Sequence, residues 1–393
     1  MSIIGFFIGA PVPSLALARY NAFIDKIGHV PHTSSVFINY KDPIWSQGKN
    51  DLQWSVNSKW SANNFSALTE LLRSQGEFTP IVTVGLTDDL TAFRLRLPPS
   101  DPAFGKYSEA AAVTMMNNVA NRKYDDDNSY TGHHRVWPAI IDAFRVRGIS
   151  KMYLRIGWEQ NGNWYGWRVC SEATKKAYIA AWRHVAALAH RYANKYGMDI
   201  RTVWSPSASY ANFGIPEVDS YPGDEFVDVI APTAYSPLWN VTRSPQGGTY
   251  HDWSTQQGVT LETWMSNPEN RRHIWDYPAS DFWNPVRGWG IPAALAFARE
   301  RGKPFGLAET GTGNRGITTQ GGGPIDDGEY PIYLAERLTA ARARGSQIEF
   351  VDIWAQASGP DRLSFISGNR PLEVNAWRHL CAALDPLTVH ADI

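Results

Sequence analysis

The chain has 393 residues, 43% of them hydrophobic and 19% charged, which allows a sizeable core and argues against disorder. A formal net charge of −1 lacks the basic excess expected of a nucleic-acid binder. Two cysteines, Cys170 and Cys381, are too few for a disulfide framework or a cysteine zinc site, and no run approaches the roughly 18 apolar residues of a membrane span.

The opening MSIIGFFIGAPVPSLALA ends like a signal peptide. It lacks a basic start and is broken by two prolines, so it reads as a first strand, 3–8, followed by a loop. Short apolar runs at 36–38 and 81–84 predict the next two strands, with a helical pattern at 62–73 between them. A long connection, 85–134, follows the third strand and carries a short helix near 108–121. A helix is expected at 137–147 and a fourth strand at 152–156. Over 171–196, Tyr178, Ala181, Trp182, Val185, Leu188, Ala189 and Tyr192 keep the spacing of one helical face. Strands at 202–204 and 227–231 precede a second long connection, 236–290. The remainder alternates: helix 291–301, strand 305–308, helix 330–344, strand 350–354, helix 372–384.

Eight strands with intervening helices define an α/β chain, best arranged as a single (β/α)8 TIM barrel spanning 1–393 with long βα-loop insertions. A doubly wound sheet is the competing arrangement, but no glycine-rich phosphate loop follows an early strand. Both long connections leave a strand and enter a helix, so they gather on the C-terminal face, where barrel active sites form. They are expected to wall an open cleft.

The chain contains 17 tryptophans. Some must pack the core, yet tryptophan is rarely buried completely. Six lie in the 236–290 connection: Trp239, Trp253, Trp264, Trp275, Trp283 and Trp289. Flat indole faces suit the C–H faces of pyranose rings, so a glycan is the expected substrate and these six are expected to furnish aromatic subsites. Glu159 follows the fourth strand in GWEQNG, and Glu309 follows the seventh in PFGLAETGTG. One such glutamate reads as a surface ion pair. Two across one barrel mouth form the acid pair that glycosidic hydrolysis needs.

RIGWEQNGNWYGW resembles the fourth-strand signature of glycoside hydrolase family 26, a clan A family of retaining endo-β-mannanases and related glycanases. The resemblance runs through AAWRHV, VWSPS, YPGDEFVDVIAPTAY, KPFGLAETG and VDIWAQ, roughly 130–356. It implies that Glu309 is the nucleophile and Glu159 the general acid and then base, with carboxyls about 5–5.5 Å apart. It also implies that Tyr235 donates to the nucleophile and that Asn161 and Trp164 line the cleaved site. Arg155 supports the nucleophile or forms a structural ion pair. Trp204 and Trp354 contact sugar or fill the barrel top. Trp158 stands where the family carries histidine, and Gln160 where it carries methionine. An indole at 158 favours stacking over polar contact, which points away from mannan toward another β-glucan or a bacterial exopolysaccharide.

YDDDNSYTGHH, 124–134, sets three aspartates near a glycine but lacks the terminal glutamate of an EF-hand. No metal or cofactor is expected. Asp88 and Asp89 read as sugar contacts or a helix cap, and QGGGP, 320–324, as an edge of the cleft. The expected partner is a polysaccharide or oligosaccharide, the expected compartment secreted or periplasmic, and the oligomeric state is open. A glycan-binding barrel without turnover and a transglycosylase using the same glutamates are the alternatives.

Overall fold

A computed structural model of the chain describes residues 3–7, 13–38, 78–87, 89–95, 97–125, 136–208, 215–236, 258–276, 289–312, 316–318, 321–355, 365–366 and 369–385. Its central strands are β1 (Ile4–Phe7), β2 (Thr33–Ile38), β3 (Thr79–Val84), β4 (Lys151–Ile156) and β5 (Asp199–Trp204). Next comes β6, in two pieces (Val229–Ile230 and Thr233–Tyr235), then β7 (Phe305–Gly311) and β8 (Ile348–Trp354). Neighbours pair in parallel and in chain order, and β8 returns to β1, closing the barrel. Each of the eight expected runs falls on one of these strands.

Among the described residues, besides one turn at Asp89–Ala92, the helices are α1 (Pro13–Ile27), α2 (Glu109–Ala120), α3 (Trp137–Arg145), α4 (Glu172–Tyr196), α5 (Leu261–Ser266), α6 (Pro268–Asp276), α7 (Ile291–Glu300), α8 (Glu329–Ala343) and α9 (Pro371–Leu384). The helix expected at 62–73 lies outside the described residues. The loop expected after the first strand is corrected: α1 occupies it. Proline fits a first helical turn, where its missing N–H is no loss. Behind it Ala16, Tyr20, Phe23 and Ile27 repeat on one buried face, and Phe23 stacks on Phe6 at 4.4 Å.

Alternate strand residues divide between two cores. Ile81, Tyr153, Val203, Val229, Ala231, Ala308 and Phe350 fill the barrel interior. Their neighbours, Trp204 among them, face the helices. The longest helix, α4, is capped at both ends, by a Ser171–Thr174 capping box and by Gly197 at φ 64. It pins the end of β4 from outside. Trp182 Nε1 donates to the Ile156 carbonyl and Tyr178 Oη to that of Gly157, both at 3.0 Å.

The aromatic reading of the 236–290 connection is corrected for the three of its six tryptophans that are described. Trp264, Trp275 and Trp289 are buried. Trp275 donates to the Ser236 carbonyl at 3.1 Å and packs on Tyr330 and Tyr333, while Trp289 meets Trp204 edge-on. Trp275 thus fastens α6 to the end of β6 and to α8, and Trp289 fastens the approach to α7 onto β5. Trp239, Trp253 and Trp283 lie outside the described residues. In QGGGP, Gly321–Gly323 pairs antiparallel with Gly316–Thr318 in a small hairpin after β7.

Candidate active site

The β4 strand ends at Ile156, and the chain then turns through two left-handed residues, Gly157 (φ 50) and Glu159 (φ 51). A Cβ on Gly157 would stand 2.7 Å from Leu86 Cδ1, so both the conformation and the space demand glycine. Glu159 pays a strain that few non-glycine residues bear. Its backbone is tied on both sides, its N–H donating to the Ser205 carbonyl at 2.7 Å and its carbonyl accepting from Gly162 N at 3.0 Å. The side chain is left at the barrel mouth, 9% exposed.

Glu309 reaches the same mouth by a different device. Leu307 pairs with Val351 and Thr310 with Ile353, so β7 spends one more residue than β8 over that step. This bulge breaks the alternation: Ala308 fills the interior, Glu309 also turns inward, and Thr310 meets Tyr330 of α8 at 3.1 Å outside. Bulges beside active sites re-aim side chains in this way.

Arg155, wholly buried on β4, joins the two acids' surroundings. One Nη pairs with Glu309 Oε1, the other donates to Thr233 Oγ1 at 2.6 Å, and Nε donates to Ser205 Oγ at 2.9 Å. The second Glu309 oxygen accepts from Tyr235 Oη at 2.8 Å. Burial, and then the charge of Glu309, hold that phenol well above its ordinary pKa, so it stays a donor.

Among the described residues Glu159 holds no cation of its own, Arg155 being paired with Glu309. Burial, followed by the charge of Glu309, pushes its carboxyl up to about 7, against the opposing pull of Arg155 and of donors on Trp164 and Thr233. Trp164 Nε1 donates to Glu159 Oε2 at 2.7 Å while its ring remains 44% exposed. Gly162 makes this possible, because a Cβ there would overlap the Trp164 ring.

The other expected contacts divide. Trp354 is half-buried at the mouth, stacked on Phe37 (5.6 Å, 12°) and near Tyr235, and among the described residues its indole N–H has no partner. Trp158, expected to stack on sugar, is instead 3% exposed. It packs between Phe37, Tyr165 and Trp167, donates to Tyr165 Oη at 2.9 Å and takes the Trp167 N–H on its carbonyl. Asn161 is a loop tie, not a free amide: it exchanges two hydrogen bonds with the Ser207 backbone and donates to Glu217 at 3.1 Å. Trp204 is fully buried among Tyr221, Trp289 and Phe297, on the helix-facing side of β5, and is corrected from sugar contact to core.

Thr233 was not singled out from the sequence, although it lies two residues before Tyr235 and so shares its face. Asp125 hydrogen-bonds His184 of α4 at 2.7 Å, and the rest of the 126–135 segment, with His133 and His134, lies outside the described residues, as does Asp88. Among the described residues no group of three or more acidic, histidine or cysteine side chains is arranged to hold a metal.

Residues 146–279 match the sequence model of glycosyl hydrolase family 26. No curated protein sequence matches the chain. Among solved structures it is similar to the YdhT protein from Bacillus subtilis, at 14% identity and a TM-score of 0.52, covering 95% of this chain and 84% of that one. It is similar to GH26C from a Muricauda species, at 15% identity and a TM-score of 0.52, over 97% and 85% of the two chains. Bacillus subtilis mannanase man26 is a third, at 14% identity and a TM-score of 0.50, over 95% and 84%. At such identities the likeness is one of fold, and that fold is the closed barrel. The matched segment holds Arg155, Glu159 and Tyr235, and together these findings are consistent with a divergent member of glycosyl hydrolase family 26.

Proposed function

We propose that the chain, as one catalytic domain over 1–393, is a retaining endo-glycoside hydrolase that cleaves a β-linked polysaccharide. The family match supports glycoside hydrolysis. The observation that carries the finer reading is the unlike surroundings of two glutamates at one mouth. Glu309 accepts from a guanidinium and a phenol, whereas Glu159 is pushed by burial to a pKa of about 7. Environments that differ in this way divide a carboxyl pair into an acid and a nucleophile.

In the first step a Glu309 oxygen bonds to the anomeric carbon as the glycosidic C–O bond breaks, and Glu159 gives its proton to the leaving oxygen. In the second, Glu159 takes a proton from water as that water attacks the same carbon and frees Glu309. Arg155 and Tyr235 hold the Glu309 oxygens in place throughout. Trp164, exposed beside Glu159, offers a flat face to the sugar on the leaving side, and Trp354 offers one near the nucleophile.

Bacillus subtilis mannanase man26 shares the fold, so β-mannan is the first glycan to test. The buried Trp158 in the histidine position makes other β-glucans and bacterial exopolysaccharides the next. An exported protein suits such substrates, and no described helix is long and apolar enough to cross a membrane. The test is a screen of purified polysaccharides with product analysis, using Glu309→Ala as control. The expected result is internal cleavage of one glycan, abolished in the variant with its fold intact. Tight binding without cleavage in both proteins would replace this reading with that of a glycan-binding barrel.

A further inference from the structure

Below Glu309 the barrel holds a third carboxyl. Asp352 of β8 is 1% exposed and shares the inward face with Phe350. Its Oδ2 accepts from Ser35 Oγ of β2 at 2.5 Å, and among the described residues its Oδ1 has no partner. Thr33 Oγ1, also on β2, is equally without one. Both unpartnered oxygens converge on Gly5 of β1, where an added Cβ would collide with each.

A buried carboxylate is tolerated when a counter-charge and several donors satisfy it. Asp352 has only Ser35 for this, through its hydroxyl and, more weakly, its backbone N–H. The charged groups that act on it are Glu309 of β7, which opposes its ionisation, and Arg155 of β4, which favours it. That guanidinium is already committed to Glu309, Thr233 and Ser205. From β1 and β2 the facing groups are Gly5, Thr33 and Ser35, all uncharged. A protonated Asp352 suits this cradle better: one oxygen accepts from Ser35, and the other, beside Gly5 and Thr33, carries no charge to be satisfied.

We propose that Asp352 is a positioning residue of the catalytic centre, a carboxylic acid kept protonated beneath Glu309 so that the charge of Arg155 serves Glu309 alone. This rests on the reading of Glu309 as the nucleophile. Ionising Asp352 sets a second anion competing for Arg155 and loosens the grip on the nucleophile. Its pKa, raised to about 7 chiefly by burial, agrees with the geometry. The proton is then lost over the same range as that of Glu159, so the alkaline fall of kcat/KM is steeper than the loss of one proton.

Two readouts test this on the full chain. In wild type labelled with 13C at the aspartate carboxyls, one resonance should titrate near neutrality, far above ordinary aspartates. It should vanish in Asp352→Asn and move to higher pH in Ser35→Ala, which removes the donor that favours the anion. Asp352→Asn keeps the shape and removes the titration. Well below neutrality its kcat/KM should stay within about threefold of wild type. Its alkaline limb should fall with the slope of a single proton. Should Asp352→Asn fail to fold, the wild-type and Ser35→Ala titrations still decide. Active enzyme whose aspartates all titrate in the ordinary range would overturn this inference alone, as would an Asn variant weakened equally at every pH with the slope unchanged. A wild type that cleaves no glycan would overturn the catalytic reading and the positioning role with it.

Discussion

Trp164 and Gly162 show how much of the acid's chemistry depends on single atoms. The indole N–H is a donor to Glu159 that favours its charged form, and it can lie there because residue 162 has no side chain. Trp164→Phe removes the donor and keeps the flat ring. The Glu159 pKa should rise further above about 7, so the alkaline limb of kcat/KM should move to higher pH, as a pH–rate profile would show. A limb that moves to lower pH would contradict the assignment of Glu159 as the acid. At this scale the sequence was informative where chemistry narrows the choice. Two glutamates at the C-terminal ends of strands four and seven leave few other readings. It was less informative where one residue type serves two purposes. Trp164, Trp158 and Trp204 look alike as letters, yet one is exposed and two are core.

Elements decide those differences. Trp204 sits one residue beyond Val203, and strand alternation turns it from the barrel interior toward Tyr221 and Phe297. Trp204→Ala should therefore cost roughly 3–5 kcal/mol of stability, as a large emptied core site does. Denaturant unfolding would measure that, while kcat of the folded fraction should remain close to wild type. A large loss of kcat with little loss of stability would return Trp204 to the sugar site. Alternation also explains what could not be read in advance. A strict two-residue period on β7 puts Glu309 opposite in face to Ala308, and only the bulge brings both inward. A bulge is set by pairing with β8, a partner far away in sequence. The case of α1 is local: proline letters suggest a break, yet proline is at home in a first helical turn, and the helix packs Phe23 on Phe6 of the strand just before it.

Across the whole molecule, closure of the barrel brings strand ends distant in sequence to one mouth, and it also buries several acids. Glu159, Glu217, Glu373 and Asp352 are all pushed to about 7, in each case first by burial. In the unfolded chain such groups release their protons near pH 4. Between about pH 4 and 7 the folded protein therefore binds more protons than the unfolded one, and its stability falls as pH rises through that window. Thermal unfolding should show a lower Tm above neutrality than in mild acid, and Asp352→Asn should narrow the gap. A Tm that climbs steadily through the same window would contradict these burial-raised acids. Barrel and mouth were legible because eight apolar runs and two acids recur at strand ends. The 236–290 connection was not, because an aromatic-rich loop can either face a ligand or fasten itself down. Trp264, Trp275 and Trp289 do the latter.

The central claim is double displacement by Glu309 with Glu159 as acid and base, and the stereochemistry of the first-formed product tests it most directly. Proton NMR of an early digest of the glycan that the protein cleaves should show the new reducing end in the β configuration before mutarotation. In Glu159→Ala, azide should restore turnover and give a β-glycosyl azide, since it intercepts the glycosyl-enzyme from the face that water would use. A first-formed α-anomer would contradict the account, because direct displacement by water would then leave Glu309 no bond to make.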